Sequence, residues 1–280
     1  MTGRPSRLLL AMALTVALTG GCGSDDEQLT VFAASSLADV LPDLADAHRQ
    51  AGGLDVVKVL AGSSRLAAQL RDGAPADAFV TADPALLAGL ATVGPPIPVA
   101  GNYMVVAVPA GNPGGVTGPH DLTRDDLRLA VCAAGVPCGD ATAARFGDLP
   151  ADTEELSVRA VLSRLVLGEA DLGVVYATDV AAEVKVVVPW TQGLACPCVV
   201  YSAVALSDRG VGFVEFLASP AAQAILADHG FSTRCPPPVE SSPQPAWPSP
   251  SSPCRWSASC NGPRGPALAA CLAGQRSLTR

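Results

Sequence analysis

The stretch LTVFAASSLADVLPDLADAHRQ, residues 29–50, decides the fold. Its first third is a short apolar run suited to a buried strand. Its remainder sets Leu37, Val40, Leu41, Leu44 and Ala47 at helical spacing. Between them stand Ser35 and Ser36. The first turn of a helix holds backbone N–H groups with no intrahelical acceptor, at the positive end of the helix dipole. A serine there can cap the helix. Alternatively, it can join those amides in a seat for an anion.

The same theme recurs downstream. LDVVKVL (54–60) is rich in β-branched residues, and AGSSRLAAQLRDG (61–73) passes through two serines into an amphipathic helix closed by Gly73. ADAFVTAD (76–83) reads as a third strand, followed by a short helix opened by Pro84. A βαβαβα order predicts a parallel sheet covered by helices. In such sheets ligands bind past the carboxyl ends of the strands, so the two serine pairs can converge on one small oxyanion. Further along, 103–111, 128–132, 172–180, 184–190 and 198–206 read as strands. GVPCGDATAARFGDL (135–149) is a loop entering a helix, and 157–170 is a strongly amphipathic helix. Residues 210–231 form two helices broken at Pro220.

Composition narrows the chemistry. Of 280 residues, 49% are apolar and 4% aromatic, so a large core is expected and a wide stacking surface is not. Residues 23–232 carry 11 Lys and Arg against 25 Asp and Glu, and this acidic body argues against nucleic acid as a partner. An anion must then be held by local dipoles rather than by net charge. After residue 232 the sequence turns Pro- and Ser-rich with no periodicity, which marks 233–280 as a disordered tail with no selected fold.

The N-terminus is a processing segment. Arg4 and Arg7 precede the apolar run 8–18 and then Thr19-Gly20-Gly21-Cys22, a secretory signal in which the small residues before Cys22 resemble a bacterial lipobox. Thr19 departs from the aliphatic residue usual at that place. Residues 1–22 are read as a lipoprotein signal ending at a lipidated Cys22, with 23–28 as a tether; ordinary cleavage leaving a free Cys22 is the alternative. Export permits disulfides, and eight cysteines remain once Cys22 is set aside. Their connectivity cannot be deduced from spacing. With His48, His120 and His229 far apart in sequence, a zinc site is not expected.

An enzyme needs a nucleophile, a base and an orienting group. Ser35 or Ser36 could attack, but Gly-x-Ser-x-Gly, Ser-x-x-Lys and a phosphate-binding Walker loop are missing, and the three histidines read as solvated helix-surface residues. A binding protein is the expected class, and an exported serine hydrolase the remote alternative.

The motifs FAASSL, GAPADAFVTAD, GEADLGVVYATD and SPAAQAILADHGF, in this order, resemble the periplasmic molybdate-binding proteins of bacterial ABC importers over residues 29–232. The resemblance implies a two-lobed α/β periplasmic binding protein of type II, each lobe a mainly parallel sheet flanked by helices, joined by crossover strands. Lobe I would span 29–104 plus 201–232 and lobe II 105–200, with hinges near 103–108 and 199–206. It assigns ligand contacts to Ser36 and Ser63, to the amides of Cys138 and Val158, and to the Tyr176 phenol, with Ser35 as a possible addition. Cys138 departs from the family's alanine. It places either a thiol beside the pocket or a Cys132–Cys138 bridge behind it.

The implied ligand is molybdate or tungstate, with no cofactor. The partners would be an importer permease and, through the anchor, the outer leaflet of the membrane; the protein would be exported and monomeric. The chemistry agrees with a seat built from serine hydroxyls and helix-start amides. Molybdate, tungstate and sulfate are fully deprotonated near neutral pH and need donors alone, whereas phosphate keeps a proton and also wants an acceptor. The nearest carboxylates, Asp39 and Asp77, fit helix and strand positions better. Sulfate or another small anion is the alternative ligand.

Overall fold

The computed structural model describes residues 28–180, 184–188 and 199–232. The signal and tether through residue 27, Cys22, Cys196, Cys198 and the segment from 233 on lie outside these residues.

Three strands open the chain: β1 (Gln28–Ala34), β2 (Asp55–Ala61) and β3 (Ala78–Thr81). Helix α1 (Leu41–Gln50) links the first two and α2 (Ser63–Arg71) the second and third. β1 pairs in parallel with both β2 and β3, as the βαβαβα order predicts. β1 lies between β2 and β3 and is buried on both faces, as parallel strands usually are. Val31 and Ala33 join the cluster containing Leu41 and Leu44 of α1. Phe32, between them, faces the other way, onto Leu66 and Ala67 of α2. Alternation along one strand thus fastens a helix to each side of the sheet.

Two further strands complete this sheet in the order β2-β1-β3-β10-β4. β4 (Val93–Asn102) and β10 (Val199–Ala205) run antiparallel to each other, and β10 runs antiparallel to β3. A second sheet has the order β7-β6-β8-β5-β9, built from β5 (Met104–Pro109), β6 (Leu129–Cys132), β7 (Thr153–Glu155), β8 (Leu172–Tyr176) and β9 (Val184–Val188). Its β6 is parallel to β7 and β8, and β5 is antiparallel to β8 and β9. Helices α3 (Pro137–Phe146) and α4 (Val158–Val166) follow β6 and β7. The expectation of mainly parallel sheets therefore holds for three strands of each and not for the other two. The chain passes between sheets at Asn102-Tyr103-Met104, and a strand arriving from the other half runs against those it joins. The return passage, between β9 and β10, lies outside the described residues.

β4 escaped the sequence reading because Pro95, Pro96 and Pro98 hide its strand character. Proline lacks the ladder N–H and is confined to edges, and β4 is an edge strand paired with β10 alone. β7 was missed for its three polar residues, Thr-Glu-Glu, again at an edge. The two helices broken at Pro220 are α5 (Val211–Leu217) and α6 (Pro220–Asp228), with the Ser219 hydroxyl capping the second.

One histidine corrects the expectation of solvated rings. His48 is buried, its Nδ1 lies 3.2 Å from the Leu54 carbonyl, and its ring packs edge-on against Phe213 and Phe216 of α5. It stands at helical spacing from Leu41 and Leu44, on the face of α1 that meets α5. Desolvation there lowers its pKa against the opposing pull of the Leu54 carbonyl.

A candidate oxyanion site between the two sheets

The carboxyl ends of the parallel strands from both sheets face one small, partly open cavity. From the first sheet come Ala34, Ser35 and Ser36 after β1, Gly62 and Ser63 after β2, and Ala82 after β3. From the second come Val136, Pro137 and Cys138 after β6, Ser157 and Val158 after β7, and Tyr176 at the end of β8. Every residue singled out in the sequence as a ligand contact, Ser35 included, lines this one space.

The serines are not used as helix caps. Ser35–Leu37 is a 3₁₀ turn whose N-cap is Ala34, and the N-cap of α2 is Gly62; neither junction has a side-chain cap bond. Instead Ser36 and Ser63 are buried, each 3% exposed, and engaged from behind. The Ser63 Oγ accepts the N–H of Ala82 at 3.2 Å. That bond uses one lone pair of the hydroxyl and leaves its O–H available to the cavity. The Ser36 Oγ lies 2.7 Å from the Tyr201 hydroxyl.

Backbone donors come from the helix starts. In α2 the first closing bond is Leu66 N–H to Gly62 C=O, and in α3 it is Asp140 N–H to Val136 C=O. In α4, Ala160 and Val161 both donate to the Ser157 carbonyl. The amides of Ser63, Cys138 and Val158 precede these bonds, so the helices supply them no acceptor. All three stand where the helix dipoles are positive. Cys138 forms a disulfide with Cys132, which settles the open alternative: a bridge, with no free thiol. The first turn of α3 packs so closely on the end of β6 that a Cβ on Gly139 would lie 2.0 Å from the Ala133 carbonyl oxygen. Only glycine fits there.

The Tyr176 ring is 2% exposed, and its hydroxyl has no hydrogen-bond partner among the described residues. Burial pushes its pKa well above the ordinary value, so it is a proton donor at every physiological pH. No carboxylate is among the lining residues. Asp77 is occupied elsewhere, accepting from Thr30 N–H and Ser207 Oγ.

The two halves touch around the cavity. Ser64 Oγ donates to the Gly135 carbonyl at 2.6 Å. Gly62 sits so near Leu156 that a Cβ would lie 2.2 Å from its carbonyl oxygen. Arg159, the second residue of α4, pairs with Asp39 ahead of α1 and with Asp179 after β8. Burial opposes the Arg159 charge, but the two carboxylates outweigh it and raise its pKa. The Arg159 Nε–Asp179 Oδ1 separation is 2.9 Å, yet the N–H does not point at the oxygen, so the contact is an ion pair without a formed hydrogen bond.

Asp179 is 1% exposed, and desolvation raises its pKa from 3.8 to about 7 against the pull of Arg159. Its folded pKa exceeds its unfolded one, so from about pH 4 to about pH 7 the folded chain keeps a proton that the unfolded chain has lost. Its contribution to stability therefore declines across that window, by at most about 1.4 kcal/mol per pH unit, and levels off above it. Asp179→Asn is expected to flatten this slope in urea unfolding measured between pH 4 and pH 8. An unchanged slope would show that Asp179 is ionised throughout.

Sequence reasoning missed Gly62, Ala82, Pro137, Ser157 and Tyr201. Tyr201 was visible as a lone phenol in the strand-like VVYSAVA, but its partner is 165 positions away, a distance no local pattern bridges.

Against known sequences, residues 29–232 match the profile of the bacterial extracellular solute-binding proteins. The chain belongs to this family. The solute-binding protein is 38% identical over 192 residues to the molybdate-binding protein ModA of Mycobacterium tuberculosis, covering 61% of this chain and 73% of that one. It is 30% identical over 257 residues to ModA of Escherichia coli, covering 81% and 97%. The periplasmic molybdate-binding protein of Azotobacter vinelandii has the same fold, with a TM-score of 0.58, 24% identity and coverage of 74% of this chain and all of that one. This solute-binding protein thus has the two-lobed fold of the periplasmic binding proteins.

Proposed function

We propose that this protein captures molybdate, and tungstate with it, outside the cytoplasmic membrane and delivers it to the permease of an ABC importer. The observation that carries the reading is the donor-only cavity. Hydroxyls of Ser36, Ser63 and Tyr176 and helix-start amides from both sheets line it, and no carboxylate does. A metal-oxide dianion offers acceptors alone and is matched by such a shell without any cationic side chain. Relatives named as molybdate-binding proteins support the same ligand. The protein acts by binding rather than catalysis, needs no cofactor, works as a monomer and is held to the membrane by lipid on Cys22.

Titration calorimetry with molybdate, tungstate, sulfate and phosphate tests this. Molybdate and tungstate should bind and phosphate should not. Ser36→Ala and Ser63→Ala should each cost about 1.5–3 kcal/mol of affinity, the worth of a hydrogen bond to a charged group. Sulfate bound in preference to molybdate would overturn the assignment of the ligand. Unchanged affinity in both variants would overturn the placement of the site.

A further inference from the structure

We infer that Asn102 is a positioning residue that fixes the direction in which the Ser36 hydroxyl points, through Tyr201. Asn102 is the last residue of β4, fully buried, where the chain leaves the first sheet for the second. Its Oδ1 accepts the N–H of Tyr103 at 2.9 Å, which identifies the other end of the amide as the donor. That Nδ2 donates to Thr178 Oγ1 at 2.7 Å and to the Tyr201 hydroxyl at 3.4 Å. Tyr201 is fully buried, with its hydroxyl 2.7 Å from Ser36 Oγ.

A phenol carries one proton. An amide nitrogen cannot accept it, so Asn102 turns the lone pair of Tyr201 toward itself and the proton toward Ser36. Ser36 then accepts from behind and donates into the cavity. The opposite polarity would present an oxygen lone pair to an anion. Thr178 lies just past Tyr176, so one amide bonds beside both the serine and the tyrosine that line the cavity. This relay rests on the reading of the site as a seat for a fully deprotonated oxyanion.

Asn102→Asp tests it. An ionised carboxylate keeps the Tyr103 bond but replaces the Nδ2 donor with an acceptor, which draws the Tyr201 proton toward position 102 and the Ser36 proton toward Tyr201. Molybdate affinity of the full chain, by calorimetry, should fall about tenfold or more. In the Ser36→Ala background the loss should be clearly smaller than in wild type, because the hydroxyl it acts through is gone and only repulsion between the added charge and the dianion remains. Tyr201→Phe, nearly isosteric, cuts the relay without adding charge, and its effect should likewise shrink in the Ser36→Ala background. Melting temperatures of all variants confirm folding, and if Asn102→Asp does not fold the Tyr201→Phe pair decides.

Effects of equal size in both backgrounds, or affinity unaltered by Asn102→Asp and Tyr201→Phe, would overturn the relay while leaving the functional reading intact. A wild-type chain that binds none of molybdate, tungstate and sulfate would overturn that reading and the relay together.

Discussion

Val158→Pro is expected to weaken molybdate binding by about 1.5–3 kcal/mol, roughly 10- to 150-fold, while leaving α4 in place. Val158 is the first residue of that helix, and its amide is a donor that no turn of the helix uses. Proline is tolerated at this position because the N–H it lacks is already without an intrahelical acceptor, and its fixed φ suits a helix start. The residue before a proline must be extended, and Ser157 already is, with φ −160° and ψ 154°. The Ser157 cap onto the Ala160 N–H is left intact. The substitution deletes one backbone donor, which no ordinary side-chain change can do, and it also replaces a valine side chain that is 2% exposed, so melting temperature is read beside affinity. Calorimetry with circular dichroism checks it. Full affinity with α4 preserved would remove the Val158 amide from the site.

Tyr176→Phe is expected to act in opposite directions on the two states. The liganded protein loses a charge-assisted bond, again about 1.5–3 kcal/mol. The unliganded protein should be at least as stable as wild type, because the change removes a buried hydroxyl that has no protein partner and keeps the ring packed edge-on near Tyr201. A structural tyrosine would behave otherwise, losing stability with or without ligand. Melting curves with and without molybdate separate the cases. A lower melting temperature without ligand, together with unaltered affinity, would show that Tyr176 serves the core.

The chain's order of strands and helices was legible wherever apolar periodicity was clean. β1, β2 and β3 with the two helices between them, β8 and the pair around Pro220 stand where the patterns put them, whereas the short helix expected after β3 is only a 3₁₀ turn, Pro84–Leu87. The ends of the serine-bearing strands were also legible, because a strand, two serines and a helix form a local signal. What local patterns cannot carry is partnership across the chain. Ser36 needs Tyr201, Ser63 needs Ala82, and Asn102 reaches Thr178; the first two depend on how strands distant in sequence meet within one sheet, the third on how two sheets are brought together. β4 shows the reverse limit. Its prolines read as loop, and only its place at the edge of a sheet makes them acceptable. His48 looked solvated because a polar ring on an amphipathic helix usually is, while its position over Phe213 and Phe216 belongs to the tertiary fold.

The assignment of Ser36, Ser63, Cys138, Val158 and Tyr176 to one ligand came from resemblance, and the cavity they share gives it a physical basis. Helices starting at parallel-strand ends present donors toward a common point, and two such sheets facing each other enclose an anion without lending it a positive side chain. An acidic protein can hold a dianion on these terms because the local dipoles are close and the net charge is screened.

The most direct measurement is anomalous diffraction at the molybdenum edge from crystals of the protein grown with molybdate. A single strong peak between Ser36, Ser63 and Tyr176, within hydrogen-bonding reach of the Cys138 and Val158 amides through its oxygens, is the predicted result. A peak elsewhere, or none at that place in protein shown to have bound the ion, would contradict the account.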